Sequence, residues 1–335
     1  MSRPRLGFLG VGWIGRSRME AILATDTADV VAISDPDADM AAAAKAILPS
    51  AALVPSLEAM LALAPDGVVI ATPSALHASQ CIQALQSGAS VFCQKPLGRN
   101  AAEVEQVVAI AKMNDRLLGV DLSYRCTAAV QAIREHIRAG TLGEVYAANL
   151  VFHNAYGPDK AWFRNPALSG GGCMIDLGVH LVDLALWLFD FPAIEQVSSH
   201  LFSGGRTLAR GEVEDYAVAS LDLANGANVQ IACSWHLPAG CDAVISAEFY
   251  GTRTGAAMRN QNGSFYDFTA ELFTGTQSQI LTEPPDAWPG RAAADWARGL
   301  AAGDGFAKST SGLLETAHAL DEIYHRAHAP HTRQA

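Results

Sequence analysis

Short apolar runs alternate with amphipathic stretches over the first third of the chain. The apolar runs predict buried strands at residues 5–9, 29–33, 67–71, 90–93 and 117–120. Between them, apolar residues recur at helical spacing and predict helices at residues 13–24, 37–47, 56–63, 77–87 and 101–114. Strands that alternate with helices in this way predict an α/β fold with a parallel, doubly wound sheet.

The pattern changes after Asp121. Longer runs that mix apolar and polar residues predict strands at 145–152, 216–223, 228–235 and 243–250. Asn225-Gly226 is a hairpin signal between two of these strands. Helices are predicted at residues 128–139, 175–189 and 312–328. We therefore predict two domains, residues 1–121 and residues 122–335, the second an α/β domain with a large, mostly antiparallel sheet.

Composition narrows the class of protein. The 335 residues fit about two domains, and a hydrophobic fraction of 50% allows a sizeable core. The net charge of -11 argues against a nucleic-acid partner. The sequence shows neither a secretory signal nor a run of about 18 apolar residues, so we expect a cytoplasmic protein without a membrane span. Six scattered cysteines fit free thiols in a reducing compartment.

A glycine-rich turn follows the first predicted strand and begins the first predicted helix, with the sequence Gly10-Val11-Gly12-Trp13-Ile14-Gly15. In this motif the first glycine allows the tight turn, the second lets the backbone approach a pyrophosphate, and the third lets helix and strand pack closely. The N–H groups of Trp13 and Ile14 would then face the phosphates. A glycine turn without a ligand is the alternative, but the strand–turn–helix order favours a dinucleotide site.

Other residues of the first domain are candidates for the same site. Asp35 lies 20 residues after Gly15, where a carboxylate can accept hydrogen bonds from ribose hydroxyls and favours NAD over NADP; a turn aspartate before a proline is the alternative. Thr72 and Pro73 end a strand and are expected to line the cofactor. His77 would either begin a helix or contact the dinucleotide.

Motifs along most of the chain resemble the Gfo/Idh/MocA family, named for glucose–fructose oxidoreductase and inositol dehydrogenase. They are Gln94-Lys95-Pro96, Tyr124-Arg125, Gly170-Gly171-Gly172 and Asp176-Leu177-Gly178-Val179-His180. The resemblance implies a Rossmann domain, a second domain with an open sheet, a cleft that holds the nicotinamide, and a homodimer or homotetramer. Family members are mostly NAD(P)-dependent dehydrogenases or reductases of sugars, inositols and polyols.

The chain departs from the family at one motif position. Gln94 replaces the usual glutamate of Glu-Lys-Pro, which helps to position the cofactor and the lysine. The amide keeps the capacity to hydrogen-bond but removes a negative charge. The resemblance still implies that Gln94 and Lys95 contact the cofactor, and it implies a cis bond at Lys95-Pro96.

Three residues match the catalytic pattern of the family: Lys95, Asp176 and His180. Oxidation of a carbinol needs a hydride acceptor and a base for the hydroxyl proton, and an imidazole suits the base. Asp176, four residues earlier on a helix, can orient that proton, and the helix N-terminus favours the ionised carboxylate. Lys95 would stabilise a developing alkoxide. A first-turn aspartate, a buried histidine and a surface lysine are the alternatives.

A metal site is less consistent with this chemistry. Asp176, His180 and Asp183 have a spacing that could bind zinc or manganese, with Cys173 as a further donor. Hydride transfer beside a lysine needs no metal, so we predict none.

Substrate contacts are expected from Lys95, Asp176 and His180 together with four residues of the second domain: Tyr124, Arg125, Asn154 and Trp162. Aromatic residues there are also typical of core packing, and Arg125 could instead pair across the domain interface. The leading hypothesis is an NAD-dependent oxidoreductase that acts on a carbinol of a sugar, inositol or related polyol. The alternatives are an NAD-retaining lyase or epimerase, and a non-catalytic NAD- or sugar-sensing protein suggested by Gln94.

Overall fold

The computed structural model describes residues 3–328, which form two compact units. The first unit contains the chain up to Ser123 and the returning segment Pro289–Ser311, and the second contains Tyr124–Trp288 and the segment from Gly312. The first boundary lies within two residues of the predicted one. The predicted second domain, residues 122–335, is interrupted, because Pro289–Ser311 packs with the first unit; its last residues, 329–335, lie outside the described part.

The strands of the first unit are β1 (Arg5–Leu9), β2 (Asp29–Ser34), β3 (Ala52–Leu53), β4 (Gly67–Ile70), β5 (Ser90–Cys93) and β6 (Leu118–Val120). Its helices are α1 (Trp13–Leu23), α2 (Ala38–Ile47), α3 (Leu57–Leu61), α4 (Ser74–Gln86), α5 (Ala101–Met113) and the later α9 (Arg291–Ala302). The strands form one parallel sheet in the order β3-β2-β1-β4-β5-β6. This is the predicted Rossmann arrangement, in which the carboxyl ends of the strands share one edge.

The helix α9 completes the core of the first unit. Its Trp296 packs against Phe92 of β5, with ring centroids 5.8 Å apart, and lies in the same buried cluster as Leu6 and Phe8 of β1. A Cβ at Gly67 or Gly119 would collide with the Trp296 ring. Glycine at these two strand positions therefore makes the close packing of α9 possible.

The strands of the second unit are β7 (Val145–Asn154), β8 (Ile194–Ser203), β9 (Arg206–Thr207), β10 (Tyr216–Leu223), β11 (Asn228–Ser234), β12 (Ala243–Gly251), β13 (Gly255–Asn260), β14 (Phe268–Thr274) and β15 (Gln277–Thr282). Its helices are α6 (Ala128–Arg138), α7 (Pro166–Ser169), α8 (Val179–Leu188) and α10 (Leu313–His328). One turn of π-helix, Met174–Gly178, leads directly into α8.

The strands of the second unit form one sheet in the order β15-β14-β13-β12-β7-β11-β10-β8-β9. The β7–β11 pair is parallel and the other pairs are antiparallel, so the predicted mostly antiparallel sheet is confirmed. Along β10 and β12 buried and half-buried residues alternate, as expected for a sheet with one face covered. The helix α8 is buried along its whole length and packs on β7 and β11, while α10 packs on β8 and α8.

One apolar stretch exceeds the sequence-based expectation. Residues Pro166–Leu188 are long and apolar enough to cross a membrane by length and composition alone, although no such run was predicted. In the structure, 94% of the most apolar window of this stretch is buried inside the protein. The stretch therefore belongs to the core of the second unit, where it contains α7, the π-helical turn and α8.

Candidate active site

The glycine turn of the first unit has the geometry that a phosphate-binding turn requires. Gly10 has a φ of +83°, and a Cβ there would press on the carbonyl of Ala71. A Cβ at Gly15 would collide with the carbonyl oxygen of Gly10, so this glycine allows α1 to pack on β1. Around Gly12 a Cβ would meet no atom within 4 Å. The turn is therefore tight at its two ends and open in its middle, where the first N–H groups of α1 begin.

The Asp35 carboxylate is tied to this turn. It follows β2 directly, and its Oδ2 accepts a hydrogen bond from the Val11 N–H at 2.7 Å. Its Oδ1 accepts a second from the Asp37 N–H at 2.9 Å. These two bonds hold the carboxylate beside the open middle of the glycine turn, and the side chain remains partly exposed. Trp13 and Ile14, at the start of α1, are exposed and half-buried, respectively.

The segment after β4 shows one correction. The helix α4 begins at Ser74, three residues before the predicted start at His77, with Pro73 at its N-cap. The His77 ring is 1% exposed, and its two nitrogens each lie 2.7 Å from a backbone oxygen, those of Pro96 and Thr72. Both ring nitrogens are therefore engaged inside the protein, and the cofactor contact of His77 stays a prediction. The Thr72 hydroxyl donates to Gln80 Oε1 at 2.6 Å.

Gln94 lies next to a buried ion pair that the sequence did not reveal. Its Nε2 donates to Asp121 Oδ2 at 2.5 Å, and Arg18 Nε donates to the same oxygen at 2.6 Å. Asp121 is 1% exposed and Arg18 is 6% exposed. Lys95 follows Gln94 and is half-buried, and the Lys95-Pro96 bond is cis, as the family resemblance implied. The Gln94 amide thus faces the Asp121 carboxylate. A glutamate at residue 94 would place a second carboxylate there, and the two negative charges would repel each other.

In the second unit, Asp176 lies in the π-helical turn and not in a regular α-helix. Its Oδ2 accepts a hydrogen bond from the Trp235 indole N–H at 3.1 Å. Trp235 is 4% exposed and follows β11, so the sheet fixes its direction. The π-helical turn changes the angle between residues 176 and 180 from the α-helical one that the spacing predicted.

His180 lies in the first turn of α8 and is 7% exposed. The Tyr124 ring packs against it, with centroids 4.8 Å apart and planes tilted by 58°. Tyr124 also contacts Trp288, at 5.1 Å between centroids. Burial raises the pKa of Tyr124 far above its ordinary value, with smaller contributions from Tyr266 and Asp176. Tyr124 therefore remains a neutral phenol beside the imidazole.

Arg125 is engaged inside the second unit. Its Nε donates to Asp183 Oδ2 at 2.8 Å, and a second guanidinium nitrogen contacts Asp183 Oδ1. The guanidinium also lies 5.5 Å from the ring centroids of Trp187 and Phe191. With 8% exposure, Arg125 contributes to packing, so its predicted substrate contact finds no support in its surroundings. Among residues 3–328, no group of three His, Cys, Asp or Glu side chains is arranged to hold a metal.

The two remaining predicted substrate residues lie at the end of β7 and in the segment after it. Asn154 ends that strand, and its Oδ1 accepts the Tyr156 N–H at 2.7 Å. Trp162 is half-buried and stacks on Phe163, with ring centroids 3.7 Å apart. Phe163 meets Trp235 edge to face at 6.2 Å. A row of aromatic rings thus leads from Trp162 to the side chain that binds Asp176.

Comparison with known proteins identifies the family. Residues 5–122 match the model of an oxidoreductase family with an NAD-binding Rossmann fold, and residues 130–257 match the model of the GFO/IDH/MocA C-terminal domain. The chain belongs to the Gfo/Idh/MocA family. Three of the motifs on which the resemblance was based, those at residues 94–96, 170–172 and 176–180, lie within the matched ranges, and Tyr124-Arg125 lies between the two ranges.

Three curated proteins with similar sequences are sugar or polyol dehydrogenases by name. D-glucoside 3-dehydrogenase of Escherichia coli is 27% identical over 67% of this chain, which spans 64% of that relative's length. Inositol 2-dehydrogenase of Rhizobium meliloti is 27% identical over 84% of this chain and 81% of its own length. D-apiose dehydrogenase of Paraburkholderia graminis is 27% identical over 86% of this chain and 75% of its own length.

Solved structures support the same fold. GenD2 from gentamicin A biosynthesis, solved in complex with NAD, superimposes with a TM-score of 0.82 at 24% identity and covers 98% of this chain and 95% of its own. Levoglucosan dehydrogenase, solved with NADH, has a TM-score of 0.82 at 20% identity and covers 97% of both chains. At these identities the similarity establishes the fold.

Sequence reasoning missed four residues that surround the Gfo/Idh/MocA motifs in this chain: Arg18, Asp121, Glu214 and Tyr324. Asp121 directly follows a strand of the parallel sheet, at the edge where ligand sites form, and this position was a usable signal. Glu214 and Tyr324 lie 110 residues apart, and neither belongs to a recognisable motif. Only the fold shows their relation to the Gly170-Gly171-Gly172 run.

Proposed function

We propose that this protein is an NAD-dependent oxidoreductase that transfers a hydride between nicotinamide and a carbinol of a sugar, inositol or related polyol. The observation that carries the proposal is the start of α8, where a carboxylate bound by Trp235 precedes an imidazole packed on Tyr124. Such a pair can accept and orient a hydroxyl proton. The chain carries this pair in a family whose first domain is an NAD-binding fold.

The glycine turn fits the dinucleotide. Its open middle at Gly12 and the N–H groups at the start of α1 suit a pyrophosphate, and Asp35 suits a ribose diol. When bound, the nicotinamide supplies the hydride acceptor or donor. Thr72, Pro73, Gln94 and Lys95 are proposed to complete this site.

We propose NAD as the preferred dinucleotide. Asp35 is followed by two further exposed acidic residues, Asp37 and Asp39, in the segment that would approach the 2′ position of the adenosine ribose. A 2′-phosphate there would meet negative charge without a basic partner in residues 35–39. Comparison of the melting-temperature rise with saturating NAD and with NADP tests this preference, since a ligand that binds the folded state raises it. An equal or larger rise with NADP would contradict it.

The catalytic roles follow from the chemistry of each side chain. His180 is proposed to take the hydroxyl proton, and Asp176, held by Trp235, to orient that proton or a neighbouring hydroxyl. The Lys95 ammonium is proposed to stabilise the developing alkoxide. Tyr124 holds the imidazole by ring packing, and burial raises the pKa of Tyr124, so its phenol stays neutral. Asn154 and Trp162 are proposed to contact the substrate.

The test is a panel of inositols, aldoses and glycosides with NAD, followed by the absorbance of reduced nicotinamide. His180→Ala should abolish hydride transfer, while the melting-temperature rise with NAD survives. His325→Ala, at a histidine whose side chain is 73% exposed, is the matched control and should keep wild-type turnover. Loss of NAD binding together with turnover in His180→Ala would assign His180 a structural role.

The same assay separates the alternatives. Substrate conversion without net release of NADH would indicate a lyase or epimerase that retains its cofactor. NAD binding without conversion across the whole panel would indicate a sensing protein. Gln94, which motivated that last alternative, has a structural reason in its hydrogen bond to Asp121.

We further propose a cytoplasmic location and a homo-oligomer. The first is supported by six cysteines that are all free thiols and the second by the family.

A further inference from the structure

The helical segment that carries Asp176 and His180 begins with N–H groups that need acceptors from elsewhere. Its first internal hydrogen bond runs from the Asp176 N–H to the Gly172 carbonyl at 3.0 Å. The four preceding N–H groups, those of residues 172–175, have no acceptor within the helix. Buried N–H groups are costly when unpaired, so their partners determine how firmly this segment is held.

All four groups are bound by two side chains and one carbonyl. Glu214 Oε1 accepts the Gly172 N–H and the Met174 N–H, both at 2.9 Å, and the Glu214 carbonyl accepts the Cys173 N–H at 3.1 Å. The fourth bond runs from the Ile175 N–H to Tyr324 Oη at 3.2 Å.

The two side chains also bind each other. The Tyr324 hydroxyl donates to Glu214 Oε1 at 2.7 Å. Burial raises the pKa of Tyr324 well above its ordinary value, so its hydroxyl stays a donor. Burial likewise raises the pKa of Glu214, although the hydrogen bonds from Tyr324, Met174 and Gly172 act in the opposite direction.

The glycine run before the helix is shaped by this pair. A Cβ at Gly171 would collide with the Tyr324 hydroxyl, and a Cβ at Gly172 would collide with the Glu214 carbonyl. The glycines therefore allow the backbone to approach Glu214 and Tyr324 closely. The glycine run thus packs directly on Glu214 and Tyr324. Glu214 comes from the segment before β10, and Tyr324 comes from α10.

We infer that Glu214 and Tyr324 are positioning residues for the proposed reaction, which hold the π-helical turn so that Asp176 and His180 keep their productive directions. The inference rests on the proposed function. Glu214 is 1% exposed and acts through backbone N–H groups. A displacement of about 1 Å at reacting groups can reduce turnover roughly 100-fold, so loss of these bonds should reduce kcat strongly.

The unequal use of the two Glu214 oxygens gives a sharp test. Every hydrogen bond of this carboxylate goes to Oε1, while Oε2 has no hydrogen-bond partner among the residues that the structure describes. Glu214→Gln can therefore keep all these bonds at its amide oxygen, with the amide nitrogen at the position of Oε2, whereas Glu214→Ala loses the bonds. A positioning role predicts that kcat falls about 10–100-fold in Glu214→Ala and less than about fivefold in Glu214→Gln, with KM for NAD unchanged in both.

A second tyrosine–glutamate pair, on β12, supplies the matched control. Tyr250 Oη donates to Glu248 Oε2 at 2.6 Å on β12, so Glu248→Ala and Tyr250→Phe remove similar groups away from the helix start. Both controls should keep wild-type kcat. Tyr324→Phe, which leaves the carboxylate in place and removes the acceptor of the Ile175 N–H, should reduce kcat even if Glu214→Ala does not fold. Wild-type kcat in Tyr324→Phe, or equal losses in Glu214→Gln and Glu214→Ala, would overturn the inference.

Hydrogen exchange separates this inference from the proposed function. In the full-length protein, exchange at the Ile175 N–H should become faster in Tyr324→Phe and stay slow in Tyr250→Phe. If no substrate of the panel is turned over but exchange changes in this way, the proposed function has failed while the helix-holding pair stands. Unchanged exchange in Tyr324→Phe would refute the pair itself.

Discussion

Replacement of Gln94 by glutamate would restore the residue usual in the family, yet we predict that it destabilises this protein. The Gln94 amide donates to Asp121 Oδ2 at 2.5 Å, and Arg18 donates to the same oxygen. In Gln94→Glu a second carboxylate would take the place of this donor, beside a carboxylate that is 1% exposed. Arg18 would then lie beside two carboxylates, that of Asp121 and the introduced one.

The magnitude follows from two contributions. Loss of a hydrogen bond to a charged group costs about 1.5–3 kcal/mol. An uncompensated buried charge costs about 3–5 kcal/mol, but residue 94 is half-buried and a proton can be taken up in relief. We therefore expect the free energy of unfolding to fall by about 2–4 kcal/mol near neutral pH. The deficit should shrink as the pH falls, because protonation of the introduced carboxyl group removes the repulsion between like charges.

The assay is the melting temperature of the full-length protein between acidic and neutral pH. Gln106→Glu, an identical substitution at an exposed position of α5, is the control and should behave like the wild type. Asp121→Asn alone removes the partner of Arg18 and should also destabilise. The double variant Gln94→Glu/Asp121→Asn exchanges acid and amide and should recover much of the loss, since contacting residues are not additive. Wild-type stability in Gln94→Glu, or additive effects in the double variant, would refute the reasoning.

Two further predictions concern carboxylates that bind backbone N–H groups. Asp35→Ala should weaken NAD binding about 10–100-fold and reduce the preference for NAD over NADP, because it removes the acceptor of the Val11 N–H and the proposed ribose ligand. Calorimetric titration with both dinucleotides measures these changes. An equal loss of NAD binding in Asp39→Ala would contradict the prediction. Burial raises the folded-state pKa of Glu214 above 4.5, so its contribution to stability is present below that pH and declines as the pH rises through the folded-state pKa. Urea unfolding of Glu214→Gln should therefore show stability that gains on the wild type from about pH 4.5 upward, and a constant difference would contradict it.

The first unit could be predicted closely from the sequence because its strands are buried on both faces. Runs such as residues 67–71 are uniformly apolar, and the observed strands differ from the predicted ones by one residue at most, except for the two-residue β3, which carries almost no pattern. The helix α9 was missed for another reason. Its alanines and Trp296 pack on a sheet formed some 200 residues earlier, and no local pattern shows such a return.

The strands of the second unit were harder to predict because several of them, such as β8 and β15, carry many exposed residues. The strand β8 was missed since polar residues such as Gln196 and His200 interrupt its apolar positions, and only Val197, Ser199 and Leu201 are buried. The strands β13, β14 and β15 were also missed, and β15 is exposed over most of its length. By contrast, the hairpin at Asn225-Gly226 is confirmed, with Gly226 at a φ of +86°.

The candidate site was predictable where a sequence motif reflects a backbone conformation that only certain residues can adopt. The glycine turn and Asp35 lie together as expected because glycine spacing reflects a turn that only glycine can form. The π-helical turn around Asp176 was not predictable, because its angle depends on Glu214 and Tyr324, which are distant in sequence. The surroundings of His77 were not predictable either, because its two ring nitrogens lie against the backbone oxygens of Pro96 and Thr72, which no motif indicates.

At the starts of α1 and of the segment that carries Asp176, backbone N–H groups donate to carboxylates of the protein, but to different extents. In the first unit, a carboxylate from the next strand binds one N–H group of the glycine turn, that of Val11, and the turn stays open around Gly12. In the second unit, Glu214 and Tyr324 bind the N–H groups of residues 172–175 completely. A helix start attracts anions through such N–H groups. The first therefore suits the phosphates of a dinucleotide, whereas the second already holds the protein's own carboxylate. The N–H groups of that helix start are therefore not available to a further anion.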